Sequence, residues 1–188
     1  MIKSIRIVMI SFVLLLLSNV AFAAKTWQII PDGSSLNFTA TQNGSPVKGQ
    51  FKKFTAEISF DPSDLASSKI MIDVDINSID APNFQVSSTL KTPDWFNVQI
   101  FPHAIFKAHH FTKVADNTYK ANGFLTIRDK TVPVVLTFKL SEYSDAKAVA
   151  IGSTTLKRTQ FGVGQGDWSN TDTIKNDVEV QFTVTAKK

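Results

Sequence analysis

A chain of 188 residues with a formal net charge of +4, no cysteine and fifteen phenylalanines has the length of one domain. The missing cysteines exclude disulfides, thiolate metal sites, a cysteine nucleophile and a lipidated-cysteine anchor. The charge surplus is small and its lysines are scattered, which excludes the basic footprint of a nucleic-acid binder.

Residues 1–23 read as a secretory signal peptide. Lys3 and Arg6 give the positive start, an apolar run covers residues 7–17, and Ala21-Phe22-Ala23 supplies the small-x-small cleavage pattern. The run is short for a membrane span. The mature domain is therefore expected over residues 24–188, and an address in the periplasm follows.

From there on, apolar and polar residues alternate, the mark of strands with one buried face. Leu36, Phe38 and Ala40 alternate with hydroxyl and amide residues, and Asn43-Gly44 suits a tight turn that needs positive φ. Phe51 and Phe54 differ in parity, so a bulge is expected at Lys52-Lys53 to keep both on the inner face. Ile70, Ile72, Val74 and Ile76 form the next strand. The period of two then stops between residues 81 and 102, where two short helices are expected, over residues 83–90 and 93–98. Pro93 suits the first turn of the second. In an otherwise stranded chain, this helical insert (about residues 82–98) is a natural lid.

Strands resume through Ala104, Phe106 and Ala108 towards His110, then through Tyr119 to Ile127, a charged turn at Arg128-Asp129-Lys130, and Val132 to Leu140. Ala148, Ala150, Gly152, Thr154 and Leu156 follow. A loop, Phe161-Gly162-Val163-Gly164-Gln165-Gly166-Asp167-Trp168, precedes a last strand through Val178, Val180, Phe182 and Val184. About eight strands in sequence predict an antiparallel sandwich or barrel. An eight-stranded barrel is either just filled by side chains or holds one small guest. The phenylalanine-rich inner faces, interleaved with Ala104, Ala108, Ala121, Gly123, Ala148, Ala150 and Gly152, favour the second.

Four ordered stretches carry a family likeness. They are Gly49-Gln50-Phe51-Lys52-Lys53-Phe54 with Ile58-Ser59-Phe60-Asp61; Leu90-Lys91-Thr92-Pro93-Asp94-Trp95-Phe96 with Phe101-Pro102-His103-Ala104-Ile105-Phe106; Gly123-Phe124-Leu125-Thr126-Ile127-Arg128 with Val132-Pro133-Val134; and Arg158-Thr159-Gln160-Phe161-Gly162-Val163 with Asp177-Val178-Glu179-Val180. Together they resemble the YceI-like family of exported, lipocalin-like proteins, whose members bind polyisoprenoid or related amphiphilic lipids. The resemblance implies an all-β, eight-stranded antiparallel lipocalin-like barrel with a lipid tunnel. Two departures concern the head group. Ser87-Ser88-Thr89-Leu90-Lys91 stands where the family often has a basic cluster with histidine, and the Gly-Gln-Gly-Asp-Trp loop resembles members linked to membrane cytochromes of the b561 type.

The expected tunnel wall is Phe38, Phe51, Phe54, Ile72, Val74, Phe84, Leu90, Trp95, Phe96, Phe106, Leu125, Leu136, Phe138, Leu156 and Phe161. Lys91 and Arg158 are the expected head-group contacts, with Arg128 behind them. His103, His109 and His110 are close in sequence, but on one strand His103 and His109 stand roughly 20 Å apart at about 3.3 Å per residue, too far to share an ion. No metal site, catalytic residue or cofactor other than a bound isoprenoid or fatty-acid-type lipid is expected. The leading reading is a periplasmic carrier for an isoprenoid quinone, a polyprenyl phosphate or a fatty-acid derivative. Burial of a methylene at about 0.8 kcal/mol would carry eight five-carbon units past the practical affinity ceiling, so the bilayer is the true competitor and tunnel shape must supply selectivity. One alternative is an accessory module for a membrane cytochrome b561-type partner, docking through the Trp168 loop. The other is an enzyme acting on such a lipid with His110 or Asp167 as base. Whether the chain pairs as a homodimer stays open.

Overall fold

Many inner positions of the predicted strands are β-branched or aromatic, and such side chains fit a pleated surface packed on one face. In the computed structural model, which describes residues 26–188, they line the inside of a closed, eight-stranded antiparallel barrel with one short helix. Eleven ladder segments build it: β1 (Thr26–Ile29), β2 (Ser35–Gln42), β3 (Ser45–Phe51), β4 (Phe54–Ser59), β5 (Lys69–Asp75), β6 (Ile79–Asp80), β7 (His103–Ala115), β8 (Thr118–Ile127), β9 (Lys130–Tyr143), β10 (Lys147–Lys157) and β11 (Asp177–Lys187). The predicted leader lies outside the described residues.

Three of the eight staves are broken strands. β1 and β2 both lie along β11, pairing at Ile29↔Ala186 and Phe38↔Val180. Their partner stave is β3 with β4, and the next is β5 with β6, paired at Phe54↔Val74 and Phe51↔Ile79. Lys52-Lys53 is thus not a bulge within one ladder. It is a break at which the stave bends, its two halves pairing with different segments, and the amide of Lys53 is held by Ser78 Oγ at 3.0 Å. The bend still returns Phe51 and Phe54 to the same interior. After β5/β6 the chain runs as a meander to β11, whose pairing with β1 and β2 closes the ring.

The tight turns follow their sequence signals. Asn43 and Gly44 both take positive φ (50° and 78°), as a two-residue hairpin demands, and the β8–β9 turn places Arg128 at φ 56°. A genuine bulge falls at His109, where the β7–β8 register slips between Ala108 and His110. It lets Ala104, Phe106 and Ala108 face inward and then restores Phe111 to the inside. His110, which has the parity of Ala108, is consequently outside and exposed.

Helix α1 (Phe84–Leu90) is capped by the Asn83 side chain, which accepts from the Val86 amide at 2.9 Å. The second expected helix is absent: residues 93–98 form consecutive turns, with the Trp95 and Asn97 amides both donating to the Thr92 carbonyl.

The inner glycines serve a purpose other than making room for a guest. A Cβ on Gly49 would stand 2.3 Å from Phe38 Cζ, on Gly123 2.7 Å from Phe106 Cζ, and on Gly152 2.4 Å from Phe182 Cζ. Each glycine is roofed by a phenylalanine ring from the neighbouring strand, a cross-strand pairing that offsets the weakness of glycine in a sheet. Gly123→Ala would also press on the Lys107 carbonyl at 2.3 Å, so it is expected to lower stability by about 1–3 kcal/mol, read from the urea midpoint.

Candidate functional site

The two ends of the barrel differ. At one end Phe60 makes edge contacts with Phe111, Tyr119 and Phe138 at centroid distances of 5.5, 5.3 and 5.5 Å, and Tyr119 stacks on Phe138. Trp27 Nε1 donates to the Phe60 carbonyl at 3.1 Å, fixing the ring that joins the cluster. This end is a solid aromatic floor.

The other end is covered by residues 81–102, which include α1, and by residues 158–176. The two covers are latched to each other. The amides of Gly164 and Gln165 both donate to the Asp94 carbonyl at 2.8 Å, and Arg128 Nη1 bridges the carbonyls of Trp95 (2.7 Å) and Gly162 (2.6 Å). Trp95 and Trp168 pack with centroids 5.6 Å apart.

Between floor and covers lies a cavity of about 190 Å³. Thirteen of the fifteen expected wall residues border it: Phe38, Phe51, Phe54, Ile72, Val74, Leu90, Trp95, Phe96, Phe106, Leu125, Leu136, Leu156 and Phe161. Others on the same strand faces join them, among them Leu36, Ala40, Ile127, Val178, Val180, Phe182 and Val184. Their parity marked them as inner residues, so the alternation could have found them. Val163 and Ile174 could not be found that way, because they reach the cavity from a loop without periodicity. Side-chain polarity on this wall is confined to Thr154, Arg158 and the Trp95 indole N–H. The Thr154 hydroxyl already donates to the Val135 carbonyl at 3.0 Å.

Two wall assignments need correction. Phe84 opens α1 with 87% of its surface exposed and points away from the cavity; as the first helical residue it has no neighbouring turn to fold back upon. Phe138 is buried, but in the aromatic floor, because its level along β9 is that of Tyr119 rather than that of Leu136's upper neighbours. It borders a second, smaller cavity of about 70 Å³.

Arg158 also departs from its expected role. Its side chain flanks the cavity, yet all of its N–H groups point at main-chain oxygens: Nε to Lys175, Nη1 to Val163 (3.0 Å) and Gly164 (2.9 Å), and Nη2 to Trp168 (2.9 Å), Asn170 and Ile174 (2.9 Å). Gly164, at φ 76°, permits this approach, since a Cβ there would stand 2.4 Å from Nη1. Burial pushes the guanidinium below its ordinary pKa, but arginine stays charged in proteins. Arg158 is the internal strut of the 158–176 cover, and no donor is left over for a head group. Lys91 forms the C-terminal cap residue of α1, its amide donating to Ser88, and it does not border the cavity.

Two buried donors in this region, Trp95 Nε1 and Arg128 Nε, meet no acceptor among the described residues, and of the two Trp95, 8% exposed, borders the cavity. Such a group costs roughly 1–3 kcal/mol when left unmade. His110 and Asp167, the bases that an enzyme would need, are both exposed and neither borders the cavity. No group of three or more His, Asp or Glu among the described residues could hold a metal ion.

A closed antiparallel barrel around a hydrocarbon-walled interior defines a lipocalin-like fold with room for an apolar guest. Residues 27–186 match the YceI-like domain, and the chain belongs to that family. Among its relatives are UPF0312 proteins of Vibrio cholerae, 26% identical over 155 residues (77% of this chain, 82% of the relative), and Vibrio vulnificus, 26% identical over 160 residues (80% and 85%). Among solved structures, BcnA of Burkholderia cenocepacia superposes with a TM-score of 0.80 at 27% identity, covering 84% of this chain and 98% of that one. A polyisoprenoid-binding domain from Saccharophagus degradans shares the fold with a TM-score of 0.69 at 12% identity, over 87% of this chain and 98% of that one.

Proposed function

We propose that the protein binds a single amphiphilic lipid of the isoprenoid or fatty-acid kind and carries or sequesters it in the periplasm. The apolar tail lies in the cavity and the polar head at the latched end. The observation that carries this reading is the cavity itself. A hydrocarbon-lined void of about 190 Å³ forfeits dispersion contacts, and voids of about 150 Å³ lined by such residues stay dry and take up apolar guests. The polyisoprenoid-binding description of one fold neighbour supports the same class of ligand.

The reading favours a head group that accepts rather than donates. Trp95 Nε1–H is the unpartnered donor bordering the cavity, whereas Arg158 is fully committed and Lys91 lies away from it. An ester, amide or quinone carbonyl fits this donor. Trp95→Phe keeps most of the wall and removes the N–H. It is expected to weaken a carbonyl-bearing amphiphile by about tenfold, near 1.4 kcal/mol, while leaving a hydrocarbon guest of equal length unaffected. Titration with both guests checks this, and equal losses for the two would reject the indole as the head-group contact.

The reading as a whole is tested by native mass spectrometry of protein purified from its own host without detergent. A bound lipid of one mass class is the expected result, and a clean apo mass would overturn it. Docking to a membrane cytochrome b561-type partner through the half-buried Trp168 remains compatible with lipid carriage, but Trp168 packs on Trp95 and its carbonyl serves Arg158, so much of its surface is already engaged.

A further inference from the structure

A closed ring of strands and an aromatic floor leave the two covers as the way into the cavity. Parting the strands breaks a ladder of main-chain hydrogen bonds, and opening the floor breaks the contacts of Phe60. The covers meet at a seam that has no such ladder. The Gly164 and Gln165 amides share the Asp94 carbonyl, Trp95 packs on Trp168, and one nitrogen, Arg128 Nη1, holds the Trp95 and Gly162 carbonyls at 2.7 and 2.6 Å. Local opening follows the least costly break. Because one atom makes both of the arginine's bonds, they are lost together.

The backbone at Arg128 does not suit an arginine. The residue starts the β8–β9 turn at φ 56°, and every other described residue at positive φ is glycine or asparagine. Its Nε–H is buried without an acceptor among the described residues, and the guanidinium stands over the Phe101 ring of the first cover at 5.9 Å. A side chain with no task would leave this place to glycine. The bond to both covers is what sustains the unfavourable turn and the unmet donor. On release, water reaches Nε, so opening leaves no orphaned donor behind.

We propose that the seam between the two covers is the gate of the cavity and that Arg128 is its latch, setting how fast a guest enters and leaves but not how tightly it is held. This rests on the reading of the barrel as a carrier and adds the route of exchange. Arg128 does not border the cavity. It therefore bonds the covers alike over an empty and a filled interior, and its contribution cancels from the affinity. It is a positioning residue, acting on the guest only through the covers.

The test uses cis-parinaric acid, a fatty acid that fluoresces in apolar surroundings, mixed by stopped flow and then chased with excess oleic acid. Arg128→Met removes every donor, and Arg128→Gly removes them while also relieving the turn. Both are expected to speed association and dissociation by at least about tenfold, from the loss of two charge-assisted bonds, with Kd unchanged. Arg128→Lys, whose ammonium cannot reproduce the planar fork, falls between. The glycine variant is expected to be more stable than the methionine variant by urea midpoint, yet to exchange guest as fast. A merely structural role would instead make exchange follow stability. Asp94→Cys with Gln165→Cys, in a chain without other cysteines, supplies the opposite arm. The oxidised cross-link is expected to slow exchange at least about tenfold, and reduction to restore it. Rates unmoved in both donor-free variants, rates that track stability, or undiminished exchange through the oxidised cross-link would overturn the gate while leaving the carrier reading intact. Failure of cis-parinaric acid to bind the unaltered protein would overturn the carrier reading itself.

Discussion

Replacing Arg158 with methionine is expected to destabilise the protein by about 3–5 kcal/mol, because several buried carbonyls lose a charged donor at once. The side chain donates to six carbonyls within residues 163–175, and methionine fills similar space while answering none of them. Each buried carbonyl left unmade contributes roughly 1–3 kcal/mol, and partial access of water to the loosened cover keeps the total below the simple sum. Urea denaturation followed by tryptophan fluorescence measures it, since Trp95 and Trp168 both lie in the affected region. Arg158→Lys is expected to recover less than half of the loss, because an ammonium has three donors from one point and cannot span a planar fan of acceptors. A loss below about 1 kcal/mol for Arg158→Met would mean that solvent substitutes for the guanidinium and that the cover does not depend on it.

The second large effect runs the other way. Val178→Phe combined with Val180→Phe is expected to raise stability slightly and to weaken lipid binding by at least a hundredfold. Both valines border the main cavity on β11, and each exchange adds four carbons. The added rings project into the void, so they would occupy the guest's place. Filling a cavity commonly adds about 0.5–2 kcal/mol, whereas forcing rings into an occupied interior subtracts about 1–3 kcal/mol. The sign of the change in Tm therefore reports whether the space is real, independently of any ligand. A falling Tm with lipid binding preserved would show the void to be elsewhere.

The barrel was legible because its information is local and periodic. Leu36, Phe38 and Ala40, or Val132 through Leu140, declare their inner faces two residues at a time, and the Asn43-Gly44 turn announces its own geometry. What escaped is information that one strand does not carry. A break and a bulge have the same parity signature, and only the pairing of β3 with β6 and of β4 with β5 distinguishes them at Lys52-Lys53. Phe138 shares its parity with Leu136, yet two residues along a strand separate cavity wall from floor. The inner glycines looked like vacancies because sequence shows the missing side chain but not the ring that covers it. Arg158 looked available because charge is visible in a sequence while six main-chain acceptors are not. Phe84 met the composition of a wall residue, but a helix begins there, and its first residue faces outward.

The ring closes where the first and last described strands meet. Trp27 and Gln28 lie in the first four described residues, and β1 hydrogen-bonds at Gln28↔Lys187 and Ile29↔Ala186, across nearly the whole polypeptide. No nascent segment can seal the oily lumen before the final stave arrives, and the seam joins strands with a large sequence separation, a contact with a high loop-closure cost. Until then an apolar trough stands open to whatever hydrocarbon is at hand. Loading could accompany assembly, with the guest acting as the mandrel around which the last two edges are zipped.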